Sequence, residues 1–138
     1  MKELKRFPTT NYTKIPSKYY FLSVAKNIIK IADLEHTEKT ILDFGCGHKI
    51  FSKLLKNQKI INYDSKPEFT ECESYENLHF DIVIFNHVLM YMKNKEIVST
   101  FENIKKINKN CEFIIGIGKG GLLNKFAAPD KLFTSKSL

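Results

Sequence analysis

Arginine is nearly absent: Arg6 is the only one among 22 basic residues in the 138-residue chain. Surfaces that read phosphates favour arginine, whose planar fork binds two oxygens at once. The lysines are scattered among Asn, Ile and Glu rather than gathered in a block. The net charge of +7 therefore reads as a lysine-rich compositional habit, and a nucleic-acid partner is not favoured. Cysteine is also scarce. Cys46, Cys72 and Cys111 are odd in number, widely spaced and without a C-x-x-C pair, which argues against a disulfide framework and a zinc site. Reduced, structural thiols are expected. No apolar run approaches the roughly 20 residues of a membrane span. The basic start, Met1 to Arg6, leads into Pro8, Thr9 and Thr10 instead of the apolar stretch of a secretory signal. These absences predict a cytoplasmic protein with no membrane partner.

What remains is globular composition, with 43% hydrophobic and 27% charged residues, in a length suited to one domain. Residues 1–16 carry no clear period and read as an N-terminal arm; 17–138 read as the domain. Phe21, Val24, Ile28 and Ile31 recur at helical spacing and predict a helix from Ser17 to near Asp33. Thr40–Phe44 is a short apolar run ended by glycine, a buried strand. Phe51, Leu54 and Leu55 mark a helix, and Lys59–Tyr63 a second strand. The acidic stretch 66–78 must hold any third strand, short and near the sheet edge. Asp81–Phe85 is a strong strand, Ile97, Val98, Phe101, Ile104 and Ile107 trace a helix, and Glu112–Ile117 is the last strand. Leu122, Leu123 and Phe126 suggest a final short helix. Strands alternating with helices, each strand a continuous apolar run, predict a mostly parallel α/β sheet of about five strands with helices on both faces.

The chemistry lies where the first strand runs into Gly45-Cys46-Gly47 and then a helix. In open α/β sheets, ligands sit at the carboxyl ends of the strands, where the chain order reverses. Asp64 stands about 20 residues on, at the end of the next strand, where a carboxylate can accept hydrogen bonds from both ribose hydroxyls. Glycine turn, spacing and acid together point to a nucleoside-containing cofactor. Ile50 occupies the third glycine position of G-x-G-x-x-G, so a pyrophosphate cradle is incomplete. Asp43, two residues before the first glycine, suits a cationic ligand instead.

At these residues the chain resembles the class I S-adenosylmethionine-dependent methyltransferases, which are Rossmann-like. Ile41-Leu42-Asp43-Phe44-Gly45-Cys46-Gly47 is similar to their first motif and Asn62-Tyr63-Asp64 to their second. Phe80–Leu89 resembles their fourth-strand segment and Phe113–Ile117 their fifth strand. The resemblance implies S-adenosylmethionine as cofactor, with Asp43 serving its ammonium. Gly45, Cys46 and Gly47 would line the methionine and ribose through their backbones. Asp64 would hold the ribose hydroxyls, Ser65 would lie next to the adenine, and Asn86 and His87 would face the sulfonium. The chain departs from the family where Lys49 replaces a frequent third glycine, and it ends soon after the fifth strand, short of the usual sixth and seventh.

Each residue also has a plainer reading. Asp43 and Asp64 can be strand-end caps, and His87 a structural residue rather than a general base. The glycines from 116 to 121 lack the spacing of a phosphate loop. Tyr19, Tyr20 and Phe21 read as helix core, or as a lid over the cofactor. No catalytic residue and no metal site are legible. The absence of an Asn-Pro-Pro-aromatic turn after the fourth strand favours a small-molecule acceptor. The function this implies is S-adenosylmethionine-dependent methyl transfer to a small-molecule or unidentified acceptor. The alternative is a non-catalytic cofactor-binding module or one part of a split enzyme. The outer edge of the fifth strand needs covering, by residues 119–138 folding back or by a second subunit, and self-association or marginal stability of the chain is the expectation.

Overall fold

The computed structural model describes residues 17–117 and the backbone of 131–134. The arm expected at 1–16, the turn at 118–121 and the helix suggested by Leu122, Leu123 and Phe126 lie outside the described residues. The elements run α1 (Ser17–Ile31), β1 (Ile41–Phe44), α2 (Ile50–Leu54), β2 (Ile60–Tyr63), β3 (Ile82–Asn86), α3 (Asn94–Ile107), β4 (Glu112–Ile117) and β5 (Lys131–Thr134). A single 3-10 turn at Leu89–Tyr91 follows β3.

The sheet order is β2-β1-β3-β4-β5. The first four strands are parallel, with Leu42 beside Ile61 on one flank and Val83 on the other. The fold class expected from the sequence is the one found, an α/β Rossmann-like sheet covered by helices. Two details of it differ. Residues 64–81 form no strand: this stretch carries Lys66, Glu68, Glu71, Glu73 and Glu76 and has no continuous apolar face to bury between two layers. The fifth strand is instead β5, antiparallel to β4 with Phe133 opposite Ile115. Of the two ways of covering the β4 edge that the sequence allows, a second subunit or the following residues folding back, the structure has the fold-back.

Side chains alternate across each strand and build two cores. Ile41, Ile82, Ile84 and Ile114 pack against Val24, Ala25 and Ile28 of α1 and Phe51 of α2. On the other face Leu42, Phe44, Val83, Phe85 and Phe113 meet Ile104 of α3, with Tyr75 and Phe80 from the segment before β3. Within α3 the apolar stripe is narrower than its sequence suggests. Val98 is 56% exposed, while Thr100 is buried, because a stripe facing the sheet needs residues three and four apart and Val98 falls beside it. No helix among the described residues is long and apolar enough to cross a membrane.

Candidate cofactor site

The chain leaves β1 for β2 on one side, then returns past β1 to place β3 on the other. This reversal splays the connections apart at the carboxyl ends of β1 and β3 and opens a crevice. A cavity of about 760 Å³ lies there, within the usual size range of small-molecule sites. Asp43, Gly45, Cys46, Gly47, Asp64, Ser65, Asn86 and His87 all line it. The structure therefore brings together the whole set of residues singled out in the sequence.

The glycine loop is shaped from β2. The N–H groups of Gly45 and Cys46 both donate to the carbonyl of Tyr63, at 2.8 and 3.0 Å. Gly47 N–H donates to Asp64 Oδ2 at 3.0 Å, and Asp64 Oδ1 accepts from Lys66 N–H at 2.9 Å. Asp64 is thus a cap as well as a wall of the crevice, and each of its oxygens keeps a lone pair for a further donor. Gly45 has φ +79°, and a Cβ there would meet Val88 Cγ2 at 2.6 Å. Gly47 has φ +48° with no atom within 4 Å of where a Cβ would sit, so its backbone faces open space. Gly45→Ala should combine backbone strain with a clash and destabilise the fold by about 2–4 kcal/mol. Gly47→Ala should cost about 1–2 kcal/mol from strain alone. Denaturant midpoints measure the difference, and equal losses would show that the Val88 contact yields freely.

Asp43 lies on the sheet face covered by α1 and α2, one residue beyond buried Leu42, and is only 2% exposed. Its Oδ2 is buried and has no hydrogen-bond partner among the described residues. Burial, reinforced by the charge of Asp64, pushes its carboxyl up to about 7. An unsatisfied buried carboxylate is expensive, and a strand-end cap would have used that oxygen. Its chemistry fits a cation brought from outside.

The Cys46 thiol donates to the Phe69 carbonyl, with Sγ 3.5 Å from the oxygen. Burial and the neighbouring carboxylates of Asp43 and Asp64 push this thiol up to about 12, so it stays protonated and contributes backbone rather than a nucleophile. His87 is buried and adopts φ +55°, with its N–H donating to Gly116 O at 3.0 Å. Histidine is among the residues that tolerate this left-handed region. The turn sets its ring edge-on to Phe21, with centroids 5.5 Å apart, and near Tyr20 at 6.1 Å. Ser65, by contrast, is exposed at the rim.

Sequence reasoning missed the far wall apart from Phe21, which it offered as core or lid. Phe21 and Leu22 from α1, Tyr91 and Met92 after β3, and Thr100 and Asn103 from α3 complete the cavity. The Tyr-Tyr-Phe run was the available signal. Tyr19 is 61% exposed and only Phe21 reaches the site, so the run divides between solvent, core and cleft. No group of three or more potential metal ligands occurs among the described residues.

A glycine loop after the first strand, a buried unpaired acid before it and a second acid on the next strand form one constellation at the switch point. The profile of a methyltransferase domain family matches residues 17–113, from the start of α1 into β4. The chain belongs to this methyltransferase domain family. No curated protein matches it.

Proposed function

We propose that this methyltransferase domain uses S-adenosylmethionine and transfers its methyl group to a small-molecule acceptor. The observation that carries the reading is the buried, unpartnered Oδ2 of Asp43 beside a glycine loop open to ligand. A carboxylate there matches a cationic amino acid moiety and repels a pyrophosphate. Asp64 would take the ribose hydroxyls on the free lone pairs of both oxygens. The backbones of Gly45, Cys46 and Gly47 would lie along the methionine and ribose, with Ser65 near the adenine and Asn86 and His87 toward the sulfonium.

When bound, S-adenosylmethionine supplies an electrophilic methyl group whose leaving group is a neutral thioether. The residues around it need only hold an acceptor in line, since orientation alone yields much of the acceleration. Phe21, Leu22, Tyr91 and Met92 give the opposite wall an apolar part, beside the polar Thr100 and Asn103, which suits an acceptor with an apolar or aromatic body and a polar end. His87 sits beside that wall, its ring edge-on to Phe21. Three free thiols, two of them buried, suit a reducing cytoplasm.

Calorimetric titration tests the reading. S-adenosylhomocysteine should bind and NADH should not. Binding of NADH with no response to either sulfur nucleoside would overturn it.

A further inference from the structure

Lys49 stands where the sequence departs from the glycine pattern, and its backbone has φ +60° and ψ +45°, the left-handed region that glycine favours. It is also the N-cap of α2, so its conformation sets where the glycine loop ends and the helix begins. Its N–H donates to Cys46 O at 2.8 Å, and its carbonyl accepts from Lys53 N–H at 3.1 Å. A lysine in this region pays a steric penalty that the surroundings must offset.

The surroundings contain one specific device. Lys49 Nζ lies 3.1 Å from Glu71 Oε1. The other oxygen, Glu71 Oε2, accepts from Asn62 Nδ2 at 2.9 Å, and Glu71 N–H donates to Asn62 O at 3.0 Å. Asn62 is buried in the middle of β2, and its amide also donates to Ser52 Oγ of α2 at 2.8 Å. Glu71 is therefore fixed at backbone and side chain before it meets Lys49, which removes much of the entropy loss that makes exposed ion pairs weak. Its carboxyl is held below the usual range, by the Asn62 hydrogen bond first and Lys49 second. Neither Lys49 nor Glu71 lines the cavity.

We propose that Lys49 and Glu71 are positioning residues: their ion pair holds the Gly45–Lys49 loop in its cofactor-binding shape, in place of the glycine absent at 49. The inference rests on the reading of this crevice as a cofactor site. It makes the pair dispensable once position 49 is free to adopt a positive φ.

A double-mutant cycle tests this with two readouts, S-adenosylhomocysteine affinity and amide-exchange protection of Gly47 N–H. Glu71→Gln keeps an oxygen for Asn62 and removes the charge facing Lys49. It should weaken affinity about two- to five-fold, the scale of one such ion pair acting on the competent fraction of the loop. Gly47 protection should fall by a similar factor. In a Lys49→Gly background, Glu71→Gln should change neither readout. An equal loss in both backgrounds would overturn the proposal by showing that Glu71 acts through β2 alone. No loss in either would overturn it by showing that the loop holds itself. If the wild-type chain failed to bind the nucleoside, the cofactor reading would fall, and Gly47 protection would still decide the role of the pair.

Discussion

Asp43→Asn should make the protein more stable near neutral pH while weakening its binding of the proposed cationic cofactor. With its folded pKa near 7, Asp43 keeps a proton that the unfolded chain gives up near pH 4. A raised folded pKa gives stability that is fully present below the unfolded value and is lost as pH rises through the folded one. Stability should therefore decline between about pH 4 and 7, by a total on the order of 4 kcal/mol. Asparagine fills the same space without ionising, so the variant should lack this decline and exceed wild type most at about pH 8. Its affinity for a cationic ligand should fall by about 1.5–3 kcal/mol, roughly ten- to 150-fold, with the loss of one charged hydrogen bond. Below about pH 7, wild-type binding should also release a proton, because the ligand's ammonium draws Asp43 into its charged form. Urea denaturation across pH, with calorimetry in buffers of different ionisation enthalpy, reads all three effects. A variant with the wild-type pH profile and affinity would mean that Asp43 is simply a packed acid.

If Asp64 holds the ribose as proposed, Asp64→Ala should lower S-adenosylhomocysteine affinity further, by about 2–4 kcal/mol, or roughly 30- to 1,000-fold, through the loss of two charge-assisted hydrogen bonds. The structure adds a second consequence. Asp64 also anchors the Gly47 amide, so the loop should lose local protection while the half-buried site leaves the core intact. Asp64→Asn separates the two roles, because its remaining carbonyl oxygen can still cap one backbone N–H. It should keep more loop order than alanine yet lose most of the affinity. Wild-type affinity in a folded Asp64→Ala protein would reduce Asp64 to a cap.

The sequence exposed those elements whose physical signal is local. The first four paired strands are short, continuous apolar runs, and the stripes of α1 and α3 repeat at helical spacing, so each announces its own type. Asp43, Gly45, Gly47 and Asp64 were legible as a site because chemistry fixed both their types and their spacing. The stretch 66–78 was not legible as a strandless connection, since topology rather than residue preference settles whether it pairs. β5 was legible only as a possible fold-back of residues 119–138: Lys131–Thr134 has four residues, and their place is set by an edge that β4 presents from a distance.

The sequence by itself determined the fold class, the order of the motif-bearing elements and which residues gather at the crevice beyond β1 and β2. All three follow from periodicity and from residue types at fixed spacing. Only the tertiary structure decided that Asp43 is buried with one oxygen unpaired, because burial depends on α1 and α2 closing over the same sheet face. Only it joined Phe21 of α1 to His87 after β3, residues that share a wall although most of the domain separates them in sequence. Lys49 shows the division most clearly. Read along the chain it is a missing glycine, whereas in space it takes the glycine's backbone conformation and finds Glu71, held by β2, to steady it.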